Sequence, residues 1–308
     1  MVADVSRSSI PKTPPGQTDS ERHYSERVSS PTHIDHRALG AELAELSLPL
    51  HQPFNVSSFF SFLKGRIVPG IEVAGATLYR RRIMGDVWIE AEVTEDELRI
   101  RIPSEATGRT NQYISRLRRL FDLDVDPRTV DRHLAKHPTL APLVHAEPGI
   151  RVPGVWDPFE GAVRAVLGQQ VSVARATNLA SALCERFGTD GFPDPQALAN
   201  AEVAAIGLPG IRGRAISAIA QRVVDDGVQW LEDPESLRAG FLETPGLGPW
   251  TAEYAAMRVG RDPDAFPDSD WGVTKALGVK GAAARRWAEP CRPWRAYAVM
   301  HLWSSRTA

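Results

Sequence analysis

Residues Leu242 to Leu277 read LETPGLGPWTAEYAAMRVGRDPDAFPDSDWGVTKAL. Within this stretch, Pro245-Gly246-Leu247-Gly248-Pro249-Trp250-Thr251-Ala252 sets two glycines, able to adopt φ > 0 and to present bare backbone, just before a proline suited to the first position of a helix. The spacing predicts a tight turn that ends on a helix N-terminus. Free amides at such an end bind a phosphate through hydrogen bonds and the helix dipole. Taken alone, the same turn also describes a plain connector between helices. Further on, Pro267-Asp268-Ser269-Asp270-Trp271-Gly272-Val273 follows a Gly/Pro-rich loop and offers two candidate carboxylates, Asp268 and Asp270.

At 308 residues, 43% hydrophobic and 24% charged, the chain has the composition of a globular protein with room for two domains or one elaborated one. A formal net charge of -2 argues against coating nucleic acid by bulk electrostatics, so any such contact needs a local basic surface. Cys184 and Cys291 are the only cysteines, which excludes a four-cysteine metal site and a disulfide framework. No apolar run reaches the roughly 18 residues of a membrane span, and the first residues lack the apolar core of a signal peptide, so a cytoplasmic protein is expected. His133 and His137 are four apart but lack a third ligand at metal-binding spacing.

Residues 1 to 44, rich in Ser, Thr, Pro, Arg and His, show no apolar period and are predicted to be a disordered tail. Residues 45 to 125 read as an α+β domain, with strands at Ala76–Met84, Asp86–Val93 and Glu97–Ile102 covered by a helix from Asn111 to Phe121. From 126 to 308 the pattern is helical. Asp157-Pro158-Phe159-Glu160 has the capping-box arrangement at the start of a long helix, and Gly168-Gln169-Gln170 predicts its end. Gly207 to Arg214 is another glycine-punctuated turn that runs into a helix.

Leu242, the Trp-Thr-Ala after the turn, and a following helix with Tyr254 and Met257 match the helix-hairpin-helix pattern of DNA repair glycosylases. From about Pro53 onward the chain is similar to the 3-methyladenine DNA glycosylase II family. Five stretches carry the likeness in the family's order: Phe159–Val173, Ile206–Ala220, Leu242–Tyr254, Phe266–Leu277 and Arg292–Trp303. The resemblance implies a mostly α, α+β protein: a small N-terminal antiparallel sheet domain, and a two-part helical region with the active site in the cleft between its parts. The activity implied is that of a monofunctional base excision repair enzyme that flips out alkylated purines of the 3-methyladenine type and hydrolyses them from DNA, leaving an abasic site. Other readings are a non-catalytic helix-hairpin-helix protein that binds DNA structures, and a glycosylase for deaminated or oxidised bases.

The family's catalytic carboxylate precedes a large apolar residue and a glycine, which by resemblance selects Asp270 over Asp268, a plausible turn-former. A carboxylate there would stabilise positive charge developing on the deoxyribose, and it could also orient water. Trp250 stands where strand-nicking branches of the superfamily carry a Schiff-base lysine, which implies no covalent imine. Phe62, Trp250, Tyr254, Trp271 and Trp303 map onto or beside the family's base pocket, where electron-rich rings attract a cationic alkylpurine by about 0.5 to 2 kcal/mol per contact. Gln170 stands where the family inserts a side chain into the emptied duplex; it replaces the usual apolar residue and could hydrogen-bond the orphaned base. Gly246, Gly248 and Thr251 are the hairpin's expected DNA contacts. Lys275 begins a basic run with Lys280, Arg285, Arg286, Arg292 and Arg295 that contains one acid, Glu289. No cofactor is required, although family members hold a monovalent cation, sodium or potassium, through carbonyls corresponding to Leu242, Thr244 and Leu247. The expected partner is double-stranded DNA with alkylated bases, bound by a monomer on the nucleoid.

Overall fold

The computed structural model describes residues 43–305. The predicted tail lies outside the described residues except for Leu43 and Ala44, which already belong to a strand. Strands β1 (Leu43–Pro49), β2 (Glu72–Ala74), β3 (Leu78–Met84), β4 (Val87–Val93) and β5 (Glu97–Pro103) form an antiparallel sheet in the order β1-β5-β4-β3-β2. One rung crosses all five: Leu46 faces Ile100, Ile100 faces Ala91, Ala91 faces Tyr79, and Tyr79 faces Ala74. Tyr79, Ala91 and Ile100 are buried there. The adjacent rung turns to the other face and carries Glu45, Arg101, Glu90 and Arg80, with Arg80 and Arg101 3.0 and 3.4 Å from Glu90. This period of two makes β3, β4 and β5 legible. The sequence reading misses β1 and β2. Both are edge strands, one without a buried residue and one only three residues long, so neither has the apolar alternation of an inner strand.

Helices α1 (Val56–Lys64) and α2 (Thr110–Leu120) cover the apolar face of the sheet. Their core is aromatic, with Phe59 stacked on Phe121 at 4.8 Å. The rest of the described chain is helical: α3 (Pro127–Leu134), α4 (Ala141–Ala146), α5 (Pro158–Leu167), α6 (Val173–Phe187), α7 (Pro195–Ala199), α8 (Gly210–Asp226), α9 (Pro234–Glu243), α10 (Pro249–Arg258), α11 (Trp271–Leu277), α12 (Ala282–Ala288) and α13 (Arg295–Ser304). None is long and apolar enough to cross a membrane. Four of them start on the same Asp-Pro device. Asp126, Asp157, Asp194 and Asp233 each accept a first-turn amide, and the following proline has no amide to leave unpaired. Each such cap contributes about 1 kcal/mol.

Helix α5 is the axis of the helical region, buried at every position except Arg164. The capping-box expectation is only half met here. Asp157 accepts the amides of Phe159 and Glu160 at 3.0 and 3.2 Å, but the Glu160 side chain does not return to the cap. It accepts Arg81 Nη1 and Nη2 at 3.1 and 2.6 Å and Arg164 Nη1 at 3.0 Å. Arg164 also reaches Glu72 at 3.1 Å, and the Tyr79 hydroxyl donates to Glu72 at 2.8 Å. Two carboxylates and two guanidiniums thus join the sheet to α5 in the interior. Burial alone would raise the Glu160 carboxyl, but Arg81 and Arg164 hold it below the ordinary carboxylate range.

A second buried acid ties the end of α2 to α13. Asp122, at φ 53°, accepts the Tyr297 hydroxyl at 2.7 Å and the Val152 amide at 3.2 Å. Burial pushes its carboxyl up to about 6, outweighing the opposing pull of Tyr297 and Arg151.

Two stability predictions follow from these groups. Glu160→Gln leaves the buried Arg81 and the partly buried Arg164 guanidiniums facing a neutral amide, and urea unfolding should show a loss of about 3–5 kcal/mol; a loss within error would mean that the network contributes nothing. For Asp122 the folded pKa lies above the ordinary one, so its contribution is complete below about pH 4 and is lost as pH rises through about 6. Asp122→Asn keeps an acceptor for Tyr297 and tolerates positive φ. Across that window the variant should gain on the parent by about 3 kcal/mol in pH-resolved thermal melts. Parallel pH profiles for the two proteins would refute the assignment.

Candidate active site

Asp270 is the N-cap of α11 and is 9% exposed. Its Oδ1 accepts the Val273 amide at 3.1 Å and the Trp303 indole at 2.8 Å, and its Oδ2 accepts the Trp250 indole at 3.0 Å. Three donors from α10, α11 and α13 therefore fix both oxygens. Gly272 permits this arrangement, because a Cβ there would lie 2.6 Å from Trp303 Cδ1 and 3.1 Å from Asp270 Oδ1. The glycine two residues after Asp270 is thus a steric requirement of the indole contact. Asp268, the other candidate, pairs with Arg285.

Around Asp270 opens a cleft of about 2050 Å³. Trp250 stacks on Tyr254 at 5.3 Å and 19°, Tyr254 meets Trp303 at 6.3 Å, and Trp303 lies nearly parallel to Phe62 at 6.2 Å and 12°. The structure thus joins four rings from α1, α10 and α13 in one run. Trp271 stands apart from them: it lines the cleft but is 71% exposed, so it belongs to the rim rather than to the wall. Adjacent to Asp270 on the helix, it must point elsewhere while the cap points in.

Two arginines at the base of this run escape the sequence reading. Arg66 and Arg258 place their guanidiniums 3.7 and 4.5 Å from the Phe62 ring centre. Phe62, expected to receive a base, is therefore already engaged by two cations. Arg258 donates to the carbonyls of Pro153 and Gly154 and to the Tyr254 hydroxyl at 3.2 Å. Burial lowers Arg258 to about 10, and it lowers Arg66 too. Burial would raise the Tyr254 phenol, but Arg258, Arg66 and Arg164 together bring it below its ordinary value. Each arginine follows its ring by four residues; Tyr254 and Arg258 share α10, a helical spacing that was the available signal, whereas Arg66 lies just past the end of α1.

The hairpin spans the end of α9 and the start of α10. Gly246 takes φ 93°, and a Cβ on it would lie 2.7 Å from Ile211 Cγ1. Gly248 is the N-cap of α10, and a Cβ there would meet open space. Thr251 is not available as a side-chain contact: it is 2% exposed and its hydroxyl accepts from Gln169 Nε2 at 2.7 Å. The same amide donates to the Gly246 carbonyl at 3.2 Å, clamping the end of α5 to the hairpin. Trp250 and Thr251 still offer first-turn amides at the helix N-terminus. Of the candidate cation ligands, the Thr244 carbonyl accepts the Leu247 amide at 3.1 Å, while those of Leu242 and Leu247 accept no backbone amide among the described residues. Gln170 is exposed at φ 52°, just beyond α5.

The basic run is smaller in space than in sequence. Asp268 takes Arg285, and Asp264 takes Arg292 and Arg295 at 3.0 and 2.7 Å. Both acids come from the loop before α11, outside the window that made the run look unopposed. Lys275, Lys280 and Arg286 remain exposed, with no ion pair among the described residues. His133 and His137 turn to the Pro290 and Trp287 carbonyls at 3.1 and 3.3 Å.

The AlkA N-terminal domain family matches residues 45–157, and the HhH-GPD superfamily, described as base excision DNA repair proteins, matches residues 163–287. The chain is 32% identical over 270 residues to DNA-3-methyladenine glycosylase 2 of Escherichia coli, a match that covers 82% of this chain and 94% of that one. It is 34% identical over 303 residues to a Mycobacterium tuberculosis protein named bifunctional transcriptional activator/DNA repair enzyme AlkA; 91% of this chain is covered, but it spans only 60% of that relative's length. Among solved structures, the 3-methyladenine DNA-glycosylase of Archaeoglobus fulgidus has the same fold, with a TM-score of 0.72 at 21% identity over 84% of this chain and 97% of that one. With both domain families present in order, and the Escherichia coli relative matched along nearly its whole length, the chain belongs to the DNA-3-methyladenine glycosylase 2 family of the helix-hairpin-helix base excision DNA repair superfamily.

Proposed function

We propose that the chain is a monofunctional DNA glycosylase that excises alkylated purines, of the 3-methyladenine type, from double-stranded DNA. The observation that carries this reading is Asp270, a carboxylate held by two indoles inside an aromatic cleft. Breaking the N-glycosidic bond builds positive charge on C1′ and the ring oxygen of the deoxyribose. Asp270, whose oxygens are already fixed, stabilises that charge without reorganising, and it orients the water that completes hydrolysis. Trp250, Tyr254 and Trp303 accept the flipped base on their faces, and its positive charge strengthens the contact.

The reaction stops at base release. Trp250 spends its indole N–H on Asp270, and among the described residues lining the cleft there is no lysine to form an imine with C1′. The amides of Trp250 and Thr251 hold a backbone phosphate, and Gly248 leaves space for its approach. Carbonyls of Leu242, Thr244 and Leu247, at the negative end of α9, hold a monovalent cation that adds positive potential beside that phosphate. Lys275 adds a long-range contact to the strand. The protein works as a monomer, in the cytoplasm on the nucleoid.

Asp270→Asn keeps the side-chain volume, removes the negative charge and leaves one of the two indoles facing an amide NH2; release of methylated purines, followed by chromatography, should fall about a hundredfold or more. Undiminished release by the variant, or none by the parent, would overturn the glycosylase reading. For the monofunctional assignment, borohydride is added to the enzyme with abasic DNA, and the expected result is no covalent adduct on a denaturing gel. A stable crosslink would show imine chemistry from a residue not identified above.

A further inference from the structure

Two cations that line the cleft take no part in the chemistry assigned to Asp270. Arg66 and Arg258 both contact the Phe62 ring, and Arg258 also donates to the Tyr254 hydroxyl. Burying a charge without an opposite one is costly, and the neighbouring Arg81 and Arg164 avoid that cost by pairing with Glu160 and Glu72. Arg66 and Arg258 have no carboxylate partner among the described residues. They touch rings, carbonyls and a hydroxyl instead.

The two differ in what they have left to give. Arg258 spends its donors on the Pro153 and Gly154 carbonyls and on Tyr254, which makes it a fixed charge. Even lowered by burial to about 10, it keeps its proton at neutral pH. Arg66 is half-buried just past α1, with its backbone carbonyl held by Arg164. Its side chain donates from Nη1 to the Phe62 carbonyl at 3.1 Å and faces Tyr254. A guanidinium held in this way still has N–H groups for an acceptor on a bound base.

We infer that Arg66 and Arg258 are the leaving-group cations of the reaction, drawing the electron pair of the N-glycosidic bond onto the departing base. The inference rests on the glycosylase reading above. When the C1′–N9 bond of a cationic alkylpurine breaks, both bonding electrons go to the base, which leaves neutral, and the positive charge passes to the deoxyribose. Water then adds its oxygen to C1′ and releases a proton. Guanidiniums against the base are repelled by it before cleavage and not after, so they lower the barrier while opposing binding. Asp270 serves the sugar end of the same bond. The arginines serve the base end.

The test separates the chemical step from binding. A duplex carrying N7-methylguanine is mixed with excess full-length protein, and base release, followed by chromatography, gives the saturating single-turnover rate and the half-saturating protein concentration. In Arg66→Met, which keeps an unbranched side chain without the charge, the saturating rate should fall about tenfold. The half-saturating concentration should stay at or below the parent's. Arg66→Lys, which keeps the charge, should recover most of the rate. A duplex with a tetrahydrofuran abasic analogue puts no base in the cleft, and its binding, carried by phosphate contacts, should stay within about twofold in both variants. An undiminished rate in Arg66→Met, or a half-saturating concentration that rises as the rate falls, overturns the inference and leaves the glycosylase standing. So does a Lys variant as slow as the Met one, or tetrahydrofuran binding that weakens along with the rate. No release by the parent sinks the glycosylase reading itself, and the inference with it.

Discussion

The buried network of Glu72, Arg81, Glu160 and Arg164 is the constraint from which the rest of the site is hung. Two carboxylates and two guanidiniums in the interior are worth little as net stability, because desolvation offsets most of their attraction. Their value is directional. Arg81 reaches from β3 to both oxygens of Glu160, and Arg164 closes the square to Glu72 and continues to the Arg66 carbonyl. The sheet is thereby set at one position on α5, and α5 ends in the turn whose Gln169 clamps the hairpin. A shift of that helix would move the hairpin, and with it Trp250 and the carboxylate that Trp250 holds.

At the cleft, aromatic rings serve two purposes that compete for the same atoms. Trp250 and Trp303 orient Asp270 through their N–H edges while their faces pack against Tyr254 and Phe62. Tyr254 and Phe62 instead lie over or beside Arg258 and Arg66, so the cleft carries positive charge at these rings and a carboxylate at Asp270. The cleft thus holds cationic and anionic groups within a few side chains of one another.

Legibility in the sequence followed the range of the interaction. The hairpin, the Asp-Pro start of α5 and its end at Gly168 are set by residues within a turn of one another, and they stand where the sequence reading puts them. The inner strands β3 to β5 were legible for the same reason, through alternation. Where the reading went wrong, a partner came from far along the chain. Glu160 left its capping box for Arg81, 79 residues away. Thr251 lost its hydroxyl to Gln169, 82 residues away. The basic run lost half its charge to Asp264 and Asp268, which lie only just upstream but outside the segment in which the charges were weighed. Arg66 and Arg258 had no visible purpose until Phe62 and Tyr254 were brought together.

By itself, the sequence determined the hairpin turn, the Asp-Pro helix starts and the family pattern, and it singled out Asp270 as the candidate carboxylate before Trp-Gly. These depend on backbone geometry and on contacts a few residues apart, which residue order encodes directly. Only the tertiary structure decided that Asp270 is gripped by indoles from two helices, that Phe62 is already occupied by arginines, and that Gln170 meets Arg212 beside an exposed isoleucine. Burial, guanidinium pairing and the direction of a carboxamide depend on which distant segments share a volume, and no local pattern in the chain specifies that.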